Sequence, residues 1–190
     1  MFSSGTQNPR RGQEIEKRFL IREATESDLG ATLELFFAVF GEPEFNLASK
    51  GFNLYERMQE RYDNDQFKHE REFWGGDKNR RYVVVVHDRA SGKMIGSAWL
   101  ITKLDSTADQ AIGEINKFYL LPQYRRLGLG DWLLRLLIGK AQELGFKTLF
   151  LITARELQAA VRLYQRYGFG EVPQSRYRNS PNSIAMERAC

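Results

Sequence analysis

Apolar positions along this chain keep two rhythms, one of strands and one of helices. Arg18 to Arg22, with Phe19-Leu20-Ile21 at its centre, reads as a first strand. Thr25-Glu26-Ser27-Asp28 then supplies helix-start chemistry, and Leu29, Leu33, Phe36, Phe37 and Phe40 follow at helical spacing. Phe52 to Tyr62 predicts a second helix, and the polar stretch after it ends in the turn Gly75-Gly76-Asp77. The run Val83-Val84-Val85-Val86 centres a strand from Arg81 to Asp88, which turns through Arg89-Ala90-Ser91-Gly92-Lys93 into a strand from Met94 to Thr102. A strand from Ala111 to Leu121 stops at Pro122. Beyond it the pattern predicts a helix from Leu129 to Leu144, a strand from Thr148 to Thr153 and a helix from Glu156 to Tyr167. Gly145 and Gly168 end the two helices, and short strands follow near Glu171 and Ile184.

These elements predict an α/β (α+β) domain over residues 18–190, with residues 1–17 as a flexible tail. Strands that meander first and alternate with helices later make a mixed sheet of about seven strands, flanked by helices on both faces. The 190 residues hold one cysteine, Cys190, so no disulfide framework forms and a reducing cytosol is the expected compartment. Met1 to Lys17 is polar and lacks the apolar core of an export signal. No apolar run approaches the length of a membrane span.

Charge is unevenly spread. Residues 41–77 carry nine acidic against five basic side chains, and residues 122–168 carry eight basic against three acidic. One half suits an anion and the other a cation, although solvated helix faces would give the same counts. In the basic half, Tyr124-Arg125-Arg126-Leu127-Gly128-Leu129-Gly130 joins a strand directly to a helix. Two glycines at that spacing allow a tight turn, so that successive N–H groups converge at the positive end of the helix dipole. Arg125 and Arg126 add charge beside this anion site. A dinucleotide fingerprint needs a third glycine where Leu133 stands, and a P-loop needs Gly-Lys-Ser/Thr, which is absent. The arrangement fits a pyrophosphate held without the dinucleotide geometry.

The context of the glycine pair resembles the GNAT superfamily of N-acetyltransferases. Pro122 and Arg125-Arg126-Leu127-Gly128-Leu129-Gly130 look like that family's pyrophosphate motif, Gln/Arg-x-x-Gly-x-Gly/Ala. Ala160-Val161-Arg162-Leu163-Tyr164-Gln165-Arg166-Tyr167-Gly168-Phe169 is similar to its later signature, Ala-x-x-Leu-Tyr-x-x-x-Gly-Phe. Ile184-Ala185-Met186-Glu187 resembles its last strand. The likeness covers about residues 18–190 and is specific from 111 onward. It implies acetyl-CoA, or coenzyme A, as co-substrate. Backbone groups of Phe118, Tyr119 and Leu120 would hold the pantetheine arm as an added strand would. Arg125 and the stretch Arg126, Leu127, Gly128, Leu129, Gly130 and Asp131 would take the pyrophosphate, with Asp131 also serving as a helix-start residue.

The implied reaction is attack of a neutral amine on a thioester. An alkyl amine with a pKa of about 10.4 is roughly 0.1% neutral at pH 7, so a base that takes its proton matters. The resemblance makes Tyr164 the acid that protonates the departing sulfur. Leu157, Ala160, Val161 and Tyr164 also share one apolar helix face, where a core tyrosine fits equally. Some family members place a glutamate where this chain has Ile152, which closes that option. Others place one eleven residues ahead of the pyrophosphate motif, where Glu114 stands in an apolar strand. Glu114 is therefore the base expected, directly or through water, with a solvated surface glutamate as the plain alternative. Leu157 replaces an asparagine common in the family, and Thr153-Ala154-Arg155-Glu156 reads as a capping box for the last helix.

His69 and His87 show no metal spacing, and no metal is expected. The expected partner is an amine acceptor, either a small molecule or a protein, with a homodimer as an option. Neither nucleic acid nor membrane is expected. Glu42, Glu44, Glu56, Asp63 and Asp65, set among Phe45, Phe52, Tyr55, Tyr62 and Phe67, favour a cationic acceptor. A protein N-acetyltransferase and a non-catalytic acetyl-CoA-binding module are the alternatives.

Overall fold

In the computed structural model the described residues are 9–42, 56, 59–60, 63, 71, 81–103, 111–173 and 183–190. The expected helix from Phe52 to Tyr62 and the turn at 75–77 fall largely or wholly outside them.

Seven strands form one sheet: β1 (Phe19–Glu23), β2 (Tyr82–Asp88), β3 (Met94–Thr102), β4 (Ile112–Leu120), β5 (Thr148–Ala154), β6 (Gly170–Val172) and β7 (Ser183–Ala189). Their spatial order is β1-β2-β3-β4-β5-β7-β6. All neighbours run antiparallel except β4 and β5, which are parallel, with Ile112 opposite Thr148 and Ile115 opposite Leu151. The helix α3 (Leu129–Glu143) makes this parallel crossover. The other α-helices with both ends described are α1 (Pro9–Arg18), α2 (Leu29–Phe40) and α4 (Gln158–Arg166), and residues 56, 59–60, 63 and 71 are also helical.

Both faces of the sheet are covered, which is why β2 and β3 read as near-continuous apolar runs. On one face Leu129, Leu133, Leu134 and Leu137 of α3 pack with Val161 and Tyr164 of α4 against Val84, Leu100, Ile115 and Leu149. On the other, Phe36 and Phe40 of α2 meet Tyr119, and Leu29 meets Val83 and Trp99. The start of α2 is tied down by Asp28. Its carboxylate accepts a fork from Arg22 (2.7 and 2.8 Å), the Thr25 N–H (2.7 Å) and the Thr25 hydroxyl (2.9 Å). The Arg22 guanidinium holds the Asp28 carboxyl well below the usual carboxylate range.

Two expectations need correction. Residues 9–17, expected within a flexible tail, are helical together with Arg18, which was expected to open the first strand, and Ile15 is 5% exposed in the main core. One apolar anchor on a ten-residue helix suffices to dock it, although the surrounding sequence is polar. The capping box at Thr153–Glu156 does not form, because β5 continues through Ala154 and α4 begins only at Gln158. The Gln158 amide instead donates to the Arg155 carbonyl (2.6 Å), and Leu157 occupies the helix cap.

Candidate functional site

Pairing between β4 and β5 stops at Ile115 and Leu151, and the strands then part. A β-bulge on β4 accompanies the divergence. Two residues, Lys117 and Phe118, face one on β3, and Lys117 takes a left-handed φ of 48°. Beyond the bulge Phe118, Tyr119 and Leu120 form one wall of a slot, and Glu156 to Ala160 form the other. This slot, about 420 Å³, joins a larger cavity of about 660 Å³ through shared Phe118, Leu120, Arg125, Ala159 and Ala160. The β4 backbone here pairs with β3 on one edge, Ser97 opposite Tyr119 and Gly96 opposite Leu120. On its other edge no strand is paired among the described residues, which suits an extended ligand.

The larger cavity opens onto the glycine loop. Arg126 and Gly128 have left-handed φ angles of 62° and 91°, alternating with ordinary backbone. That alternation turns successive N–H groups into one concavity, an anion nest, at the start of the fifteen-residue α3. Gly128 caps this helix and brings no side chain to satisfy the first N–H groups. Arg125, Arg126, Arg135 and Arg166 line the same cavity. Of the residues singled out in the sequence, Phe118, Leu120, Arg125, Arg126, Gly128, Gly130 and Asp131 line the larger cavity, and Tyr119 lines the slot. Leu127 and Leu129 instead turn to the core, where Leu129 is fully buried.

Some of these residues are already engaged. Arg125 donates from Nε to the Leu120 carbonyl (2.9 Å) and from Nη2 to Glu42 (2.7 Å), bracing α2 against β4. Glu42, expected on an acceptor-attracting surface, is therefore one half of an ion pair. Asp131 accepts from Arg135 (2.7 Å) one helical turn on and from Arg166 of α4 (3.5 Å). It orients two arginines as well as opening the helix.

The two expected proton carriers sit apart. Tyr164 is 5% exposed and packs edge-on against Phe118 (6.0 Å between centroids) and Phe169 (5.9 Å). It lies behind the cavity-lining Phe118, not on the lining itself. Burial raises the Tyr164 phenol well above its ordinary value, so it stays protonated through neutral pH. Glu114 precedes the bulge and lies on the α2 face of β4, opposite Ile101 and Phe150. Burial pushes its pKa up, while nearby Lys103 and a hydrogen bond with Asn116 pull it back. Ile152, at the other glutamate position, is 44% exposed. Among the described residues no three His, Cys, Asp or Glu side chains converge as metal ligands, and no helix is long and apolar enough to cross a membrane.

Sequence reasoning missed Arg135 and Arg166 on the cavity, although the Asp131/Arg135 spacing of four marked a helical ion pair. It also missed Arg11, Gly12 and Ile15, which no local pattern distinguishes.

An uncharacterized N-acetyltransferase of Escherichia coli (strain K12) is 33% identical over 91 residues, 48% of this chain and 52% of that protein. The chain spans 45 to 62% of the length of the curated relatives it matches. Among solved structures, a GNAT-family acetyltransferase of Staphylococcus aureus Mu50 superposes with a TM-score of 0.69 at 16% identity, covering 90% of this chain and 98% of the other. The PaiA N-acetyltransferase of Thermoplasma acidophilum, solved with coenzyme A, superposes with a TM-score of 0.65 at 18% identity, covering 90% and 99%. Those two likenesses establish the sheet order and the helices on both faces as a shared fold. The Acetyltransferase (GNAT) family matches residues 48–169, from the segment after α2 through the glycine loop to Phe169, and the chain belongs to that family.

Proposed function

We propose that the protein transfers the acetyl group of acetyl-CoA to the primary amine of a small, cationic acceptor by direct attack. The observation that carries this reading is the continuity of the slot at the β4–β5 divergence with the anion nest at Arg126–Gly130. An extended thiol arm and a pyrophosphate need that pairing of an unpaired strand edge with a phosphate seat. Phe118, Tyr119 and Leu120 would flank the arm, with the Leu120 carbonyl already engaged by Arg125. The amides from Arg126 to Asp131 and the arginines beside them would hold the phosphates.

In the reaction the amine nitrogen bonds to the thioester carbon, the carbon–sulfur bond breaks, and the thiolate takes a proton. Glu114, its carboxylate made more basic by burial, receives the ammonium proton directly or through water. Tyr164, kept protonated by burial, supplies the proton to sulfur and is restored by the second proton that the nitrogen loses on becoming an amide. Its edge-on contact with Phe118, which lines the slot, supports that role.

The cationic acceptor rests on the acidic balance of residues 41–77, including the exposed Glu56, Glu60 and Asp63. The test is release of coenzyme A thiol across a panel of small amines, lysine peptides and N-terminal peptides, at low and raised salt. A small cationic amine should turn over fastest, with a rate that falls as salt rises. Preference for a peptide would replace the acceptor class, and an anionic amino acid with a salt-independent rate would remove the charge argument. No thiol release above background with any amine would support the non-catalytic binding module instead.

A further inference from the structure

Residues 9–18 lie outside the stretch over which the family matches, yet they help build the anion site. The helix α1 is held at its C-terminal end. Ile15 is buried in the core shared with Phe19 and Leu129. Arg89 donates from Nε to the carbonyls of Glu16 (3.1 Å) and Phe19 (3.2 Å), and its backbone N–H donates to Arg18 (3.0 Å).

From that anchor the other end of α1 crosses the glycine loop. The Arg11 guanidinium lies directly on Gly128. A Cβ added at Gly128 would come within 2.8 Å of Arg11 Nε and 3.0 Å of Cζ and Nη2. Arg11 also lines the larger cavity together with Arg125, Arg126, Arg135 and Arg166. Glu42 engages Arg125, and Asp131 engages Arg135 and Arg166. Among the described residues no carboxylate is bonded to Arg11 in the cavity, so its charge is available to an anion seated in the nest. A guanidinium offers a planar fork matched to phosphate, and an anchored helix loses little freedom on presenting it.

We propose that Arg11 is a phosphate-clamping residue supplied by α1: its guanidinium binds the coenzyme's phosphates from the side of the nest opposite the loop amides. The glycine at 128 then serves two neighbours at once, since a side chain there would displace both the phosphate and Arg11. The inference rests on the reading of this cavity as a coenzyme A site, and the experiment separates the two.

Coenzyme A binding is measured by titration calorimetry on the full chain, for wild type, Arg11→Ala and Arg11→Lys, at two salt concentrations. Circular dichroism checks that each variant is folded. Arg11→Ala should bind about ten- to a hundredfold more weakly, the range for a lost hydrogen bond between charged groups. Its affinity should also depend less steeply on salt. Arg11→Lys, which keeps the charge without the fork, should fall between. Equal affinity in wild type and folded Arg11→Ala overturns the clamp alone. Tighter binding by Arg11→Ala also overturns it, because Arg11 would then be blocking the seat. Failure of the wild type to bind coenzyme A overturns the cavity's assignment and the clamp together.

Discussion

A methyl group placed at Gly128 tests the nest quantitatively, because Gly92 provides a matched control. Both glycines have positive φ, 91° at Gly128 and 69° at Gly92. A Cβ at Gly92, in the β2–β3 turn, would have nothing within 4 Å, whereas at Gly128 it meets Arg11 at 2.8 Å. The left-handed strain of an alanine costs roughly 1–2 kcal/mol at either position. At about 2–4 °C per kcal/mol for a domain this size, each variant should melt about 2–8 °C below wild type. The contact with Arg11 adds little to that loss, since the tip of a long side chain can move aside. Ligand binding separates the two. Coenzyme A at a hundred times its Kd adds about 2.7 kcal/mol to the native state, a rise of roughly 5–11 °C. Gly92→Ala should keep this rise. Gly128→Ala should lose most of it, because the methyl occupies the space where backbone approaches phosphate. Melting curves with and without coenzyme A read the difference directly. An equal rise in both variants would refute the nest as the phosphate seat, and loss of the rise in both would show that lowered stability, not the loop, is responsible.

Three further outcomes are expected. Tyr164→Phe should melt within about 1 kcal/mol of wild type and bind coenzyme A normally, while its turnover falls about 10²- to 10⁴-fold; unchanged turnover would leave Tyr164 a core residue only. Glu114→Gln should flatten the acidic limb of the pH–rate profile. Because burial raises the Glu114 pKa in the folded state, ionising it costs stability as pH rises through that value. The glutamine variant should therefore melt above wild type near pH 8 and lose that advantage below the ordinary glutamate range, as thermal melts across pH would register. Asp28→Ala removes the partner of Arg22 and Thr25 at the start of α2 and should cost about 2 kcal/mol. With the Asp28 pKa depressed on folding, that contribution is present above about pH 4 and fades as pH falls below it, so the two melting curves should converge in acid.

Much of this architecture was written locally. The β3 bounds, Met94 to Thr102, and the α3 start at Leu129 follow from runs of apolar residues cut by glycine and proline, which act on their own neighbours. The glycine loop was legible for the same reason: a positive φ at Gly128 is a steric property of one residue. The last helix was read two residues too long at its start because Thr153 to Glu156 satisfies a capping pattern. Pairing of Thr153 with Ile184 and Ala154 with Ser183 held those residues in the sheet instead.

The sequence by itself determined the seven strands, the helices α2, α3 and α4, and where a loop could cradle an anion. Periodicity and backbone sterics operate within a few residues, and both are present in the order of the amino acids. Only the tertiary structure decided that Arg125 would spend its charge on Glu42, 83 residues away. It also set Tyr164 behind Phe118 and brought Arg11, from a polar segment with one buried isoleucine, onto Gly128. Those meetings depend on sheet order, on the divergence of β4 from β5 and on the docking of α1. Each is settled by packing between elements distant in the chain, where no local spacing records it.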